Sequence, residues 1–372
     1  MNDRLTRLRE KLEEKGLGGA FVSAAGEDMS KQLGANRRYL SGFTGSMGHL
    51  LITQEAAFIA VDFRYYEQAE SESPGFEMFK ANGPMNTWLS EFIRGGDLGG
   101  KKLAFESHGV SYATFHSLRK AVGELPEGAR PQLTPTENLV EWLRVIKEPG
   151  EIEALQAAVT LGDQAFEHVA ERVEPGWTEK QVAWEIERYV REHGGEGMSF
   201  DTIVAAGPHG SLPHAQPRDH VIQKGEGIVI DMGVKLNGYV SDLTRTIFVG
   251  KPDEQFRKIY DIVLGAQLTA EELVRPGITG GEAHMLAQKV IEEAGYGDNF
   301  GHGLGHGVGL QVHEPPRVGK TSDDKLEDGM VFTIEPGIYL PGWGGVRIED
   351  QGYLKAGRYV SMSHAPKLKF AG

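Results

Sequence analysis

The sequence predicts a two-domain α/β protein, and two observations lead to this fold class. At 372 residues the chain is long for one hydrophobic core. A stretch rich in Pro and Gly, LPEGARPQLTP at 125–135, also separates two regions of different pattern. We therefore predict an N-terminal α/β domain over 1–135, a linker helix over 136–150 and a C-terminal α+β domain over 151–372.

The N-terminal region alternates short helices and strands. Leu5, Leu8 and Leu12 form an apolar stripe at helical spacing. The run GGAFVSA is typical of a buried strand, and HLLIT followed by AAFIAVD predicts a pair of strands. A helix of roughly 137–146 then leads towards the second domain.

In the C-terminal region one order of elements, two helices and then a strand pair, occurs twice. The helices are predicted over about 151–172 and 178–193, and again near 253–273 and 281–294. The first strand pair is GIVIDMGV and YVSDLTRTIFV, joined by KLNG; the second is VFTIEPGIYL and GVRIEDQGYL, joined by PGWG. This repetition predicts a pseudo-two-fold domain in which the two hairpins meet at the centre.

Composition excludes several classes of function. The net charge of −14 and the lack of a dense basic block argue against a general nucleic-acid binder. The chain has no cysteine, which excludes disulfides, Cys nucleophiles and Cys-ligated zinc. No run of 18 apolar residues could span a bilayer, and the charged N-terminal segment is unlike a signal peptide, so we expect a cytoplasmic protein without membrane partners.

The first hairpin carries two acids in apolar strand text. If KLNG at 235–238 is a four-residue loop, Asp231 and Asp242 lie directly opposite each other on one face, with Cβ atoms roughly 4.5–5.5 Å apart. Two ionised carboxylates so placed repel each other and are costly to desolvate. Either one holds a proton or a cation lies between them.

The second hairpin repeats this theme, because Glu335 follows VFTI and Glu349 follows GVRI. Arg347 is the only nearby base in the second hairpin, so four such acids suit a cation better than a shared proton. Between the hairpins, the segment FGHGLGHGVGLQVHE at 300–314 holds three histidines among five glycines and is the source of a fifth ligand. The motifs HExxH, GxSxG, GxGxxG and the P-loop are all absent.

Five strings together resemble the pita-bread metallopeptidases, the group of methionine aminopeptidase, aminopeptidase P, prolidase and creatinase. They are LPHA at 212–215, VIDMGVKLNGYVSDLTRT at 229–246, GHGLGHGVGL..HE at 301–314, TIEPGIY at 333–339 and GVRIED at 345–350. The string RRYLSGFTGSMGHLLIT…AVDFRYYEQA resembles the creatinase-like N-terminal domain of the proline-specific members, prolidase and Xaa-Pro aminopeptidase. The resemblance implies a pita-bread catalytic domain.

The resemblance also implies a two-metal site, whose five ligands are Asp231, Asp242, His306, Glu335 and Glu349. Asp242 and Glu349 would bridge both ions, and Glu335 would also shuttle a proton. His214 and His313 would contact the substrate and its tetrahedral intermediate, and His302 would line the pocket for the proline ring. Arg347 would orient the carboxylates from behind.

For the metal, carboxylate-rich sites with one imidazole favour harder ions, so manganese is the first choice, ahead of cobalt, iron or zinc. The expected substrate is a small peptide, cleaved between an N-terminal residue and proline, and relatives suggest a homodimer. Arg64 is a candidate for holding the free carboxylate of a dipeptide, which leaves open the choice between Xaa-Pro dipeptidase and aminopeptidase. The alternatives are a methionine aminopeptidase-like activity and a non-catalytic binding module on the same fold.

Overall fold

The computed structural model describes residues 3–24 and 34–368. Within them the chain forms two compact units, which divide between Arg144 and Val145. The predicted linker is divided between these units, because Gln132–Thr136 is a strand of the first and Pro149 begins a helix of the second. The helix predicted over 137–146 was too long, since only Glu141–Arg144 is helical. None of the described helices is long and apolar enough to cross a membrane.

The first unit is a mixed sheet with six helices among its described residues. The helices are α1 (Asp3–Glu14), α2 (Ala35–Ser41), α3 (Tyr66–Glu72), α4 (Leu89–Gly95), α5 (Tyr112–Glu124) and α6 (Glu141–Arg144). The strands are β1 (Gly19–Ala24), β2 (Gly48–Thr53), β3 (Ala57–Val61), β4 (Glu77–Lys80), β5 (Lys102–Glu106) and β6 (Gln132–Thr136). The strand order is β4-β3-β2-β1-β5-β6. The leucine stripe of α1 is buried and the predicted strand pair is antiparallel, as expected from the sequence.

One buried histidine in this unit affects the pH dependence of folding. The ring of His49, in β2, lies between Phe21 and Trp88, with ring centroids 5.6 and 5.7 Å away. Its Nδ1 is 3.1 Å from Ser23 Oγ. Burial and then the charge of Arg37 lower the pKa of His49 to about 3. The folded state therefore keeps this imidazole neutral.

We expect this histidine to weaken the fold in mild acid. The unfolded chain binds the proton with an ordinary pKa of about 6.5, so the free energy of unfolding falls by ~1.4 kcal/mol per pH unit between about pH 6.5 and pH 3. His49→Gln keeps a polar group for Ser23 but cannot titrate, and should remove this part of the slope in urea unfolding. His116→Gln, an exposed position on α5, is the control. Equal slopes in the unaltered protein and His49→Gln would contradict the argument.

The second unit has four helices and thirteen strands among its described residues. The helices are α7 (Pro149–Ala170), α8 (Glu179–Glu192), α9 (Glu254–Leu273) and α10 (Gly280–Glu293). The strands are β7 (Gly197–Met198), β8 (Ile203–Ala206), β9 (Gly227–Met232), β10 (Val234–Leu236), β11 (Tyr239–Val240), β12 (Leu243–Phe248), β13 (Gly305–Gly307), β14 (Glu314–Val318), β15 (Val331–Ile334), β16 (Gly337–Leu340), β17 (Gly344–Arg347), β18 (Asp350–Lys355) and β19 (Arg358–Ser361). The predicted repetition of a helix pair and a hairpin is therefore present.

Each half of the second unit has its own apolar core beneath its hairpin. In the first half, Phe166 of α7 and Ile186 of α8 pack with Ile228 and Ile230 of β9. In the second half, a larger cluster joins α9 and α10 to the second hairpin through Ile259, Val263, Ile291, Phe332, Ile334, Val346 and Ile348. Because side chains alternate along a strand, these apolar residues direct the residues between them to the opposite face.

The predicted register of the first hairpin was wrong by two positions. Thr244, not Asp242, pairs with Asp231. The turn is formed by two residues, Asn237 and Gly238, with φ of 51° and 75°, instead of the four-residue loop that the prediction assumed. Such Asn-Gly turns favour left-handed dihedrals that match the twist of the strands. The shift of two positions keeps the same face, so Asp231 and Asp242 still lie on one side of the hairpin.

Both hairpins are interrupted where their acids occur. In the first, Asp242 lies in the gap between β11 and β12; in the second, Glu335 and Glu349 lie in the gaps between β15 and β16 and between β17 and β18. Backbone N–H groups at these gaps find partners outside their own ladder. The N–H of Asp242 donates to Gln351 Oε1 and that of Glu349 donates to Thr244 O, each over 3.0 Å. These bonds join the two hairpins at their acidic positions.

Candidate metal centre

A cavity of about 510 Å³ lies where the two hairpins of the second unit meet. The predicted site residues of this unit all line it: His214, Asp231, Asp242, His302, His306, His313, Glu335, Arg347 and Glu349. Three elements supply the five predicted ligands, because the first hairpin carries two, the second carries two, and His306 lies in β13. The sequence thus identified residues that the fold brings together.

The predicted ligands are close enough to share a cation. One ligand atom each of Asp242, His306 and Glu349 lie within 4.8 Å of one another. His306 Nε2 is 3.3 Å from Glu335 Oε1 and 3.5 Å from Asp242 Oδ2. Donor atoms that each lie about 2.0–2.2 Å from one ion fall within such separations of each other.

Three carboxylates of the cavity, those of Asp231, Asp242 and Glu349, are poorly stabilised as anions by protein groups alone. Burial and then the charges of Glu349 and Asp231 raise the pKa of Asp242 well above its ordinary value. Burial and then the charges of Glu335 and Asp231 do the same to the pKa of Glu349. Burial also raises the pKa of Asp231, although Arg347 opposes the shift. A bound cation would stabilise all three as anions.

Glu335 and His306 are stabilised in their charged forms by each other. Burial alone would raise the pKa of Glu335, but the hydrogen bond and charge of His306 outweigh it and lower that pKa to about 2. Burial would likewise lower the pKa of His306, whereas the hydrogen bond and charge of Glu335 raise it. A cation bound here must displace the proton of His306, because only the neutral imidazole is a metal ligand.

Two orphaned oxygens test whether these residues fit a cation. Asp231 Oδ1 and Glu349 Oε1 are buried and have no hydrogen-bond partner among the described residues. The other oxygen of each carboxylate is bound, Asp231 Oδ2 by the Arg347 guanidinium and Glu349 Oε2 by Thr244 Oγ1 at 2.6 Å. Buried polar atoms without partners are rare in folded proteins. Divalent cations would satisfy both, so the donor set fits a metal centre.

Arg347, predicted to orient the carboxylates, lies beside Asp231. The buried guanidinium binds Asp231 and donates to Thr244 Oγ1 over 3.1 Å and to Tyr339 Oη over 2.8 Å. It therefore holds Asp231 directly and reaches Glu349 only through Thr244. Sequence reasoning missed Thr244, although its place two residues after Asp242 puts it on the same face of the hairpin.

His302 and His313, two of the predicted pocket histidines, have lowered pKa values. Gly303 O can only accept, so His302 Nδ1 carries the proton and His302 Nε2 accepts from Tyr339 Oη, over 2.8 and 2.9 Å. Burial lowers the pKa of His302. Burial and then the charge of His306 lower the pKa of His313 to about 4. Neutral imidazoles can donate to a carbonyl oxygen without adding charge to the cavity.

Arg64 lies outside the unit that contains the cavity, whereas Arg317 lines the cavity. Arg64 belongs to the first unit, where its Nε and Nη2 donate to the two oxygens of Asp62 over 2.9 and 2.7 Å. Its predicted role in substrate binding stays a prediction. Arg317, at 313-HEPPR-317 in β14, was not predicted, but it lines the cavity. The sequence signal that could have identified Arg317 is its position four residues after His313, a predicted site residue.

Family models match both units. The model of metallopeptidase family M24 matches residues 153–356, and the model of the creatinase/prolidase N-terminal domain matches residues 4–146.

Similar proteins span nearly the whole chain. A Xaa-Pro dipeptidase of Pyrococcus horikoshii is 37% identical over 352 residues, which is 94% of this chain and 93% of the relative. The solved structure of a Xaa-Pro dipeptidase from Bacillus anthracis has a TM-score of 0.90 at 38% identity and covers 98% of both chains. An X-Pro aminopeptidase from Thermotoga maritima has a TM-score of 0.87 at 34% identity, over 98% of this chain and 99% of its own.

Proposed function

Because the chain belongs to metallopeptidase family M24, we infer that it is a metal-dependent exopeptidase that cleaves the bond between an N-terminal residue and proline. The single observation that carries this inference is the metal centre: five potential ligands converge in one cavity, and two of their buried oxygens have no protein partner. The whole-length relatives include enzymes named for this bond. A non-catalytic binding module would not need a complete ligand set.

The proposed ligands are Asp231, Asp242, His306, Glu335 and Glu349. Manganese is the proposed ion, since four carboxylates and one imidazole form a predominantly hard donor set. When bound, a pair of divalent ions supplies a nucleophile generated from water near neutral pH and polarises the scissile carbonyl.

The chain's own residues would bind, orient and protonate the substrate. His214 and His313, which line the cavity, would donate to the oxygen on which negative charge develops. Glu335 would carry the proton from the attacking water towards the leaving nitrogen. The ring of His302, which Tyr339 and Gly303 fix from both sides, would form a wall for the proline ring.

Arg317 favours dipeptides among the Xaa-Pro substrates. Its exposed side chain lines the cavity, and no ion pair of its guanidinium occurs within the described part of the chain. A dipeptide brings a free carboxylate into the site together with the proline ring, and arginine binds carboxylates with two parallel hydrogen bonds. We therefore propose Xaa-Pro dipeptidase activity, with Arg317 as the group that recognises the carboxylate.

Chelation and metal replacement test the proposed function. The purified protein is stripped with a chelator, restored with Mn²⁺, Co²⁺, Fe²⁺ or Zn²⁺, and assayed on a Xaa-Pro dipeptide, a Xaa-Pro-Yaa tripeptide and a Met-Ala-Yaa peptide. We expect turnover only with metal, highest with Mn²⁺, and faster for the dipeptide than for the tripeptide. Absence of metal-dependent turnover of both proline substrates would overturn the proposal. Cleavage of the methionine peptide alone would indicate the methionine aminopeptidase alternative.

Arg317→Ala tests the recognition of the carboxylate. We expect the KM for a Xaa-Pro dipeptide to rise ~10–100-fold with little change in kcat, because a charge-assisted hydrogen bond of about 1.5–3 kcal/mol is lost. The same substrate with a C-terminal amide should be affected by less than about threefold, since it lacks the charge. Arg317→Lys should recover part of the loss. An equal effect on acid and amide would contradict this role.

The assembly and location of the enzyme are also proposals. We propose a homodimer, by likeness to the family, and light scattering coupled to gel filtration measures its mass. A cytoplasmic location stays part of the same proposal.

A further inference from the structure

The part of the cavity wall that carries His214 is not fixed by a strand ladder. Residues 213–216 line the cavity, and the segment 212–218 around them has no regular secondary structure. Its backbone is held near His214 by a bond from the Ala215 N–H to Leu212 O over 3.2 Å, and Arg347 Nη1 donates to Pro213 O over 3.3 Å. The position of the imidazole therefore depends on what holds the two ends of the segment.

The longer segment 206–218, which contains these residues, is bound near both of its ends to one carboxylate, that of Glu179, the first residue of α8. At the start of the segment, the N–H of Ala206 donates to Glu179 Oε1 over 2.9 Å, and His209 Nδ1 lies 2.9 Å from the same oxygen. At the end of the segment, the N–H of Arg218 donates to Glu179 Oε2 over 2.9 Å, and Arg218 Nε lies 3.7 Å from the same oxygen. The Glu179 side chain thus joins both ends of the loop that presents His214, next to a backbone bond from the Lys180 N–H to Arg218 O over 3.3 Å.

Burial of the Glu179 carboxylate costs desolvation free energy, so we expect this residue to have a specific role. The side chain of Glu179 is 0% exposed, and an ionised carboxylate without water needs several donors to offset its desolvation. The start of a helix provides a favourable dipole for it. The packing of α8 does not require an acid here, because Val182, Ile186 and Val190 already bury its apolar face.

We propose that Glu179 is a positioning residue, which fixes the segment 206–218 so that His214 meets the substrate. It does not touch the cavity and acts through the histidine. The inference rests on the proposed function, where His214 donates to the developing negative charge. An anchor that only stabilised the fold would lower activity equally with and without that imidazole, so a double-mutant cycle separates the two roles.

The cycle combines Glu179→Gln with His214→Ala in the metal-loaded enzyme. In the background with His214, we expect Glu179→Gln to lower kcat/KM for a Xaa-Pro dipeptide by ~10–100-fold, because small displacements of a reacting group are costly. In the His214→Ala background the same substitution should change kcat/KM by less than about twofold, since the group it positions is gone. Bound metal per chain should stay unchanged, because the proposed ligands lie on other segments. Glu192→Gln, at the exposed end of α8, is the matched control and should have no effect.

His209→Phe is the second variant, should Glu179→Gln fail to fold. It keeps a ring but removes one donor to Glu179, and we expect a loss of ~3–10-fold that again disappears without His214. Equal losses in both backgrounds, or a folded Glu179→Gln enzyme of full activity, would overturn the inference. Failure of the proposed function would look different, because the unaltered enzyme would then turn over no Xaa-Pro substrate.

Discussion

Asp242→Asn should abolish catalysis while making the metal-free protein more stable. The substitution removes a proposed bridging ligand, and we expect kcat/KM to fall at least ~10³-fold because the nucleophile and the polarised carbonyl both depend on the cations. In chelated protein, however, the same change removes a buried acid that Glu349 and Asp231 repel. The folded state raises the pKa of this acid, so at neutral pH it favours unfolding, and that contribution grows as the pH rises.

Metal analysis and thermal unfolding, each with and without Mn²⁺, measure both effects. The unaltered protein should melt at higher temperature when Mn²⁺ is added, and Asp242→Asn should lose most of that increase. Asp261→Asn, an exposed site on α9, should behave like the unaltered protein. If Asp242→Asn retained full metal content and activity, the proposed ligand set would be wrong.

Arg347→Met should cause the largest loss of stability. The guanidinium is buried and is the partner of Asp231. Its removal leaves that carboxylate without its ion-pair partner, and breaking a buried pair in this way costs about 3–5 kcal/mol. Since Arg347 also orients Asp231, metal affinity should weaken by ~10–100-fold. Urea unfolding of chelated protein and titration with Mn²⁺ give the two quantities.

Two comparisons make this test specific. Tyr339→Phe keeps the pair of Arg347 and Asp231 but removes the hydrogen bonds of Tyr339 to the guanidinium and to His302, and it should cost about 1–3 kcal/mol. Arg358→Met, on the exposed side of β19, should change stability by less than about 0.5 kcal/mol. A similar stability for Arg347→Met and Arg358→Met would show that the folded state does not depend on the Arg347 guanidinium beside Asp231.

The face on which the acids lie could be predicted more securely than their pairing. Side chains alternate with a period of two, so the apolar residues at 228 and 230 direct Asp231 away from the core whatever the turn. The register depends on the turn, and the two-residue Asn237–Gly238 geometry differed from the predicted loop. The predicted pairing was wrong by two positions, and an even shift leaves each side chain on the same face of the hairpin. The set of predicted site residues therefore did not change.

Contacts between distant parts of the second unit could not be predicted from the sequence of either hairpin alone. Thr244 holds Glu349, and Glu179 holds both ends of the His214 segment, through contacts between residues far apart in sequence. Such contacts depend on how helices and hairpins pack together. Local periodicity carries no record of that packing. The four acids could be recognised because charged residues in apolar strands are unusual, whereas His306 was assigned through the resemblance to the family.

The proposed ligands are divided between the two hairpins and β13, so a cation would bind late in folding. Neither hairpin holds a full ligand set, so the nascent chain has no preformed site until both halves have docked. An ion that binds only the finished domain adds RT ln(1 + [M]/Kd) to its stability, about 2.7 kcal/mol at a free concentration 100 times the Kd. Metal starvation would therefore shorten the lifetime of the protein against proteolysis as well as stop its turnover.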